Sequence, residues 1–301
     1  MKGKYTKYII LGCCSLLLIA QGYSQNIYTQ LRQQNAKQLI AQQIQHNYSA
    51  SVQLQWLERP YCVPTDEVTL NIVMYHYIRL EHWDPATSII SKNSITPGQL
   101  QEQLSYLYHL QWENKTKVAF FSELQNRQDY NCFPQRHITL LTADDGRRDN
   151  YKYLVPLTQR YKLKFNLGLI YNNIGRTGSR IDPFMTYEEI QEILSTWVIE
   201  IQSHTFNHQD LSTLPYIKQY QEICASKMYL EQMFSIKINT LIYPMGKWDA
   251  NSLTIARSCG YMYGLTTVGG TVDTHELQNT PLNLQRTRVS KTSTPEELFG
   301  K

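Results

Sequence analysis

The stretch HITLLTADDGRRDNY, His137 to Tyr151, ends an apolar run with two adjacent carboxylates, Asp144 and Asp145. HITLL reads as a buried strand, and two ionised groups at its end repel each other unless each has a partner. An Asp-Asp-Gly triplet serves most often as a plain turn, because both residue types favour turns after strands. What stands at the ends of the other strands decides between a turn and a site.

Upstream, VTLNIVMY (Val68 to Tyr75) reads as a strand. SITPGQLQEQLSYLYHL follows as a helix, with Pro97 near its start and Leu100, Leu104 and Leu107 on one face. Downstream the pattern repeats: helical NYKYLVPLTQRY, strand-like FNLGLIY, helical TYEEIQEILS, strand-like VIEIQ, a helical stretch from Ile217 to Phe234, strand-like NTLIYP, helical NSLTIARSCG and strand-like YMYGLTT. Such alternation with short connections predicts an α/β fold on a parallel sheet, open or closed into a barrel. In either form the active site lies at the carboxyl ends of the strands. Those ends carry His76 after NIVMY, Asp144 and Asp145 after HITLLT, His204 and His208 after VIEIQS, and Tyr243-Pro244-Met245-Gly246 after NTLI. A strand end facing solvent would carry Asn, Gly or Ser instead.

SHTFNH spaces His204 and His208 four apart, which on a helical turn brings both imidazoles to one side. By itself this spacing marks surface or capping histidines more often than ligands. Joined to a carboxylate from a neighbouring strand end, it becomes a two-histidine, one-carboxylate set, which suits a catalytic ion with an open position.

The chain has 301 residues, 42% of them apolar, which is enough for a sizeable core. Its net charge of +4 comes from scattered Lys and Arg, so no nucleic-acid footprint is present. Lys2, Lys4 and Lys7 precede the short apolar run Tyr8 to Ala20, so residues 1–22 read as a secretory signal, with an uncleaved membrane anchor as the alternative. Either implies export, to the periplasm or the cell surface. Residues 23–67 form a Gln-rich helical extension, and residues 68–301 one catalytic domain. Beyond the signal stand Cys62, Cys132, Cys224 and Cys259. An exported compartment permits disulfides, and spacing alone assigns no pairing.

TADDG, SHTFNH and IYPMGKWD fall in the order of the first three motifs of the NodB-homology polysaccharide deacetylases, carbohydrate esterase family four. VMYHYI resembles the subgroup that deacetylates poly-β-1,6-N-acetylglucosamine in biofilms, and the resemblance runs from about Val68 to the C-terminus. It implies a distorted (β/α) barrel and metal-dependent hydrolysis of N-acetyl groups from an extracellular N-acetylhexosamine polymer. Chitin-like polymers, peptidoglycan and acetylated xylan are alternative substrates. A catalytically silent carbohydrate-binding scaffold is the alternative of a different class.

On matching positions the family makes Asp144 the general base, Asp145, His204 and His208 the ligands of zinc (or of cobalt or nickel), and the Tyr243 amide an oxyanion donor. His76 is the expected general acid, with His275 as its rival. Three departures from the family pattern stand out. Ala143 precedes the Asp pair where an aromatic is usual, Arg147 and Arg148 follow Gly146 where an aromatic is common, and Leu241 or Ile242 replaces the arginine that orients the base in many relatives. No glycan-hydrolase domain is expected after Lys301, and the oligomeric state is not readable.

Overall fold

The computed structural model describes residues 63–64, 68–80, 93–128, 132–133, 135–177 and 183–300. The expected signal and nearly all of the expected helical extension lie outside these residues. The one described piece of that extension, Val63–Pro64, is extended and pairs antiparallel with Cys132–Phe133. Residues 61–301 form one compact unit.

Six parallel strands make the body of a nine-stranded sheet: β1 Thr69–Tyr75, β2 His137–Ala143, β3 Phe165–Leu169, β4 Ile199–Ser203, β5 Thr240–Ile242 and β6 Tyr263–Leu265. Their spatial order is β6-β5-β4-β3-β2-β1. The last stretch of the chain then curls the sheet towards closure. Leu284 bridges to Leu265 on the β6 edge, and Thr287–Arg288 pairs with Val73 and Met74 on the β1 edge. The result is the distorted barrel, with one irregular segment as its seam.

The strands are mostly buried because both of their faces are covered, as in other parallel sheets, and polar residues among them, such as Asn166 and Gln202, are hydrogen-bonded. Alternate residues go to different cores. Leu70, Ile72, Ile138, Leu140, Tyr263 and Leu265 fill the barrel, with Phe121 among them. Val73, Leu141, Phe165, Leu167 and Ile201 face outward and pack under the helices.

Helix α1, Pro97–Trp112, starts where the sequence predicts: Thr96 and Gln99 form a reciprocal capping box, and Pro97 occupies the first turn. It buries Leu100, Leu104 and Leu107. Helix α2, Val155–Tyr161, follows the wide π-helical turn Asn150–Leu154. Helix α3, Tyr187–Leu194, carries a second capping box, Thr186 with Glu189. The predicted helix from Ile217 to Phe234 is realised as Tyr216–Tyr220, a π turn Gln221–Ala225, and α4 Ser226–Phe234. Helix α5, Ala250–Ser258, is capped by Asp249. Cys224 and Cys259 form a disulfide that ties the π turn to the end of α5.

Candidate active site and metal centre

The strand ends converge at the carboxyl mouth of the barrel. Along β2 the inward positions are Ile138, Leu140 and Thr142, and Asp144 continues that series because neighbouring strand residues face opposite ways. Asp145 would therefore face outward if the strand went on. It does not, since Asp145 takes a left-handed φ of 76° and Gly146 one of 73°. That reversal lets two adjacent carboxylates serve one site. Gly146 tolerates it for a second reason: a Cβ there would come within 2.7 Å of the Leu169 side chain.

Asp145, His204 and His208 bring one donor atom each within 4.8 Å of one another. Asp145 Oδ1 lies 3.6 Å from Nε2 of both histidines. That is too long for a hydrogen bond, and close to the separation of about 3.4 Å between two ligands of a tetrahedral ion with bonds of about 2.0–2.1 Å. His204 Nδ1 sits 2.8 Å from the Ile242 carbonyl, which leaves Nε2 for the site. The three donors fit one divalent ion.

The histidine pair is not presented by a helical turn, contrary to the reading of its spacing. His204 directly follows β4, and Thr205 and His208 both have left-handed φ, 64° and 61°. This loop is held from outside. Asn207 donates its backbone and side-chain N–H groups to the Glu222 carboxylate at 2.7 Å each, and Phe206 N–H donates to the Glu222 carbonyl. Glu222 lies in the π turn, whose extra residue per turn is a common device beside functional groups.

Asp144 stands apart from the three donors. Burial pushes its carboxyl up, but the Arg286 guanidinium outweighs that and holds it at about 2. Arg286 is fully buried and also donates to Thr142 Oγ1 and the Thr266 carbonyl. The Asp145 carboxyl is pushed up by burial too, yet its histidine neighbours, His204 first, bring it well below the usual carboxylate range. For His204 itself the nearby carboxylates prevail over burial and raise it, whereas burial and the charge of His204 lower His208 to about 4.

His76 extends β1 next to Asp144, and its Nε2 is 3.8 Å from Asp144 Oδ2. Burial lowers its pKa. Its Nδ1 is buried with no hydrogen-bond partner, and its carbonyl accepts from Asn150 Nδ2. The rival His275 is exposed and lies at the opposite end of the barrel. Its helix, Thr274–Asn279, follows a strand that pairs with Thr69 and Leu70 at the start of β1, about 20 Å from the mouth at the usual rise per residue.

Tyr243 does not serve as expected. Its amide N–H already donates to the Leu265 carbonyl at 3.0 Å in the sheet, and its hydroxyl donates to the Leu282 carbonyl. The turn that follows places Met245 with a left-handed φ of 56°. Gly246 and Lys247 donate their amides to Tyr243 and Pro244, and Pro244 has no N–H. The Met245 amide is thus the one in this turn without such a bond to a neighbouring carbonyl.

Sequence reasoning missed Arg286, whose guanidinium pairs with both Asp144 oxygens where no arginine stands near Leu241. Its only signal is parity: Leu282, Leu284 and Arg286 alternate in one register, and all three are buried. Arg147, noted only as a departure, lies with Nε 3.6 Å from Asp145 Oδ2. Arg148 turns away to Glu189.

Comparison with known proteins agrees with this architecture. Residues 131–264 match the family model described as "Polysaccharide deacetylase". A Bacillus subtilis protein, YxkH, whose name marks an inferred polysaccharide deacetylase, is 26% identical over 90% of this chain and 88% of its own. The poly-beta-1,6-N-acetyl-D-glucosamine N-deacetylase of Staphylococcus aureus is 21% identical over 59% of this chain, and the match spans 62% of that relative's length. Among solved structures, Streptococcus pyogenes deacetylase PplD, in complex with acetate, superposes with a TM-score of 0.67 at 25% identity over 77% of this chain and 97% of its own. IcaB from Ammonifex degensii shares the fold at a TM-score of 0.61 and 18% identity, over 77% of this chain and 94% of its own. The two Asp and two His therefore sit at strand ends of a fold shared with deacetylases of solved structure, and the chain carries a polysaccharide deacetylase domain, matched over residues 131–264.

Proposed function

We propose that this enzyme removes N-acetyl groups from an extracellular N-acetylhexosamine polymer, with poly-β-1,6-N-acetylglucosamine as substrate and a divalent ion held by Asp145, His204 and His208. One observation carries the mechanism: the adjacent carboxylates have different partners. Asp145 Oδ1 faces two imidazoles, and Asp144 faces Arg286 and His76. When bound, the ion supplies a Lewis acid that polarises the acetamide carbonyl and acidifies a neighbouring water. Asp144, kept ionised by Arg286, accepts the proton of the attacking water. His76, on the Oδ2 side of Asp144, gives a proton to the departing amine. The Met245 amide, rather than that of Tyr243, donates to the developing oxyanion.

The substrate assignment draws on the name of the Staphylococcus aureus relative. Zinc suits a histidine-carboxylate set, as do cobalt and nickel, so availability decides among them. Export draws on the N-terminal basic-apolar run and on the Cys224–Cys259 bridge, a bond that oxidising compartments permit. The test is acetate release from defined oligomers of β-1,6-linked N-acetylglucosamine, chitin-like glycan, peptidoglycan and acetylated xylan, with and without a chelator. Chelator-sensitive release, fastest from the β-1,6-linked oligomer, is expected. Faster release from another glycan would overturn the substrate, and release indifferent to chelator would overturn the metal.

A further inference from the structure

Beside the three donors lies a stack that neither the mechanism nor the family resemblance uses. The Arg147 guanidinium sits 4.3 Å from the ring centroid of Phe184 and 5.4 Å from that of Tyr77, and Arg79 lies 4.9 Å from Tyr77 in turn. Cation and ring alternate through Phe184, Arg147, Tyr77 and Arg79. The stack is built on fixed backbone. Arg147 and Phe184 form an antiparallel bridge, Arg148 N–H donates to the Pro183 carbonyl, and Met185 N–H donates to the Gly146 carbonyl. Tyr77 directly follows His76 in the chain, so one clamp spans the acid's strand, the Asp145 loop and the Phe184 segment.

What the clamp holds is the outer oxygen of Asp145. Oδ1 faces His204 and His208, and Oδ2 faces Arg147 Nε at 3.6 Å. An unrestrained carboxylate can swing to offer both oxygens to an ion and so fill a position that substrate or water needs. A cation fixed on one oxygen prevents that swing. Pure electrostatics would disfavour an arginine so near a metal, so its presence there calls for a positional benefit. We propose that Arg147 is a positioning residue that keeps Asp145 a one-oxygen ligand and thereby keeps the ion's reactive position open. This rests on the reading of Asp145, His204 and His208 as the metal site.

The test loads the protein with cobalt(II) in place of its own ion and reads the visible d–d absorption, which weakens as coordination number rises. Arg147→Met should take up cobalt yet show weaker absorption than wild type, with kcat down by roughly 10- to 100-fold, as for other groups that orient metal ligands. KM should move little. Phe184→Leu, which removes one side of the clamp without touching a charge, should shift the spectrum in the same direction and guards against a failure of Arg147→Met to fold. An Arg147→Met spectrum identical to wild type overturns the proposal, and so does a lowered thermal midpoint of the metal-free protein with no spectral change. Failure of wild type to bind cobalt at all would instead sink the metal reading beneath it.

Discussion

Arg286 and Asp144, 142 residues apart in the chain, meet through two parallel hydrogen bonds of 2.8 Å, guanidinium fork to carboxylate fork. Arg286 comes from the seam that joins the two edges of the sheet, so closing the barrel and pairing the Asp144 carboxylate are a single event. Removing one member of such a buried pair leaves a charge without compensation, which costs roughly 3–5 kcal/mol. Arg286→Met should therefore lower the urea midpoint by a corresponding amount and depress kcat. Adding Asp144→Asn should recover part of the stability but none of the activity. A double variant no more stable than Arg286→Met would show that the charge on Asp144 is not what the arginine neutralises.

The ligand set predicts a division among single variants. Asp145→Ala, His204→Ala and His208→Ala should each lose bound metal, measured by elemental analysis after dialysis, together with activity. Asp144→Asn should retain the metal and lose most of kcat, because an amide cannot accept a proton from water. The reverse pattern for the two aspartates would exchange their roles.

For His76 the expected signature is selective. An amine leaves poorly unless protonated, so His76→Ala should slow acetamide hydrolysis by roughly 10²- to 10⁴-fold while sparing an acetyl ester with a good leaving group. His275→Ala, at the far end of the barrel, should match wild type on both substrates. Because burial lowers the pKa of His76 in the free protein, the alkaline limb of kcat/KM should begin below the ordinary histidine value. Equal damage by His76→Ala to amide and ester would exclude the acid role.

Glu200 on β4 predicts a pH effect on stability away from the site. Burial raises its carboxyl from 4.5 to about 7, against hydrogen bonds from the Ser122 hydroxyl and the Gln202 amide. The native state therefore keeps a proton that the unfolded chain gives up. The stabilisation is fully present below about 4.5, declines as pH rises through about 7, and is absent above it. Glu200→Gln should melt near the wild-type temperature at pH 4.5 and above it at pH 8, by calorimetry. A variant that melts below wild type at pH 8 would show the ionised carboxylate to be favourable there.

The sequence by itself determined what repeats locally. Strand and helix alternation follows from apolar period and capping residues, such as Thr96 with Gln99, and these act within a few residues. It also placed His76, Asp144, Asp145 and His204 at strand ends, because a parallel sheet puts every such end on one side. Tertiary structure decided what depends on contacts between distant segments or on backbone reversals. The i, i+4 histidines looked helical, yet Thr205 and His208 hold left-handed conformations secured by Glu222. Tyr243 looked like an oxyanion donor until strand pairing with β6 took its amide. The partner of Asp144 could not be read from its neighbourhood, since Arg286 reaches it only when the seam forms. A chain reports its own periodicity, but which buried charge finds which counter-charge is settled by closure of the barrel, where leaving either unpaired is too costly.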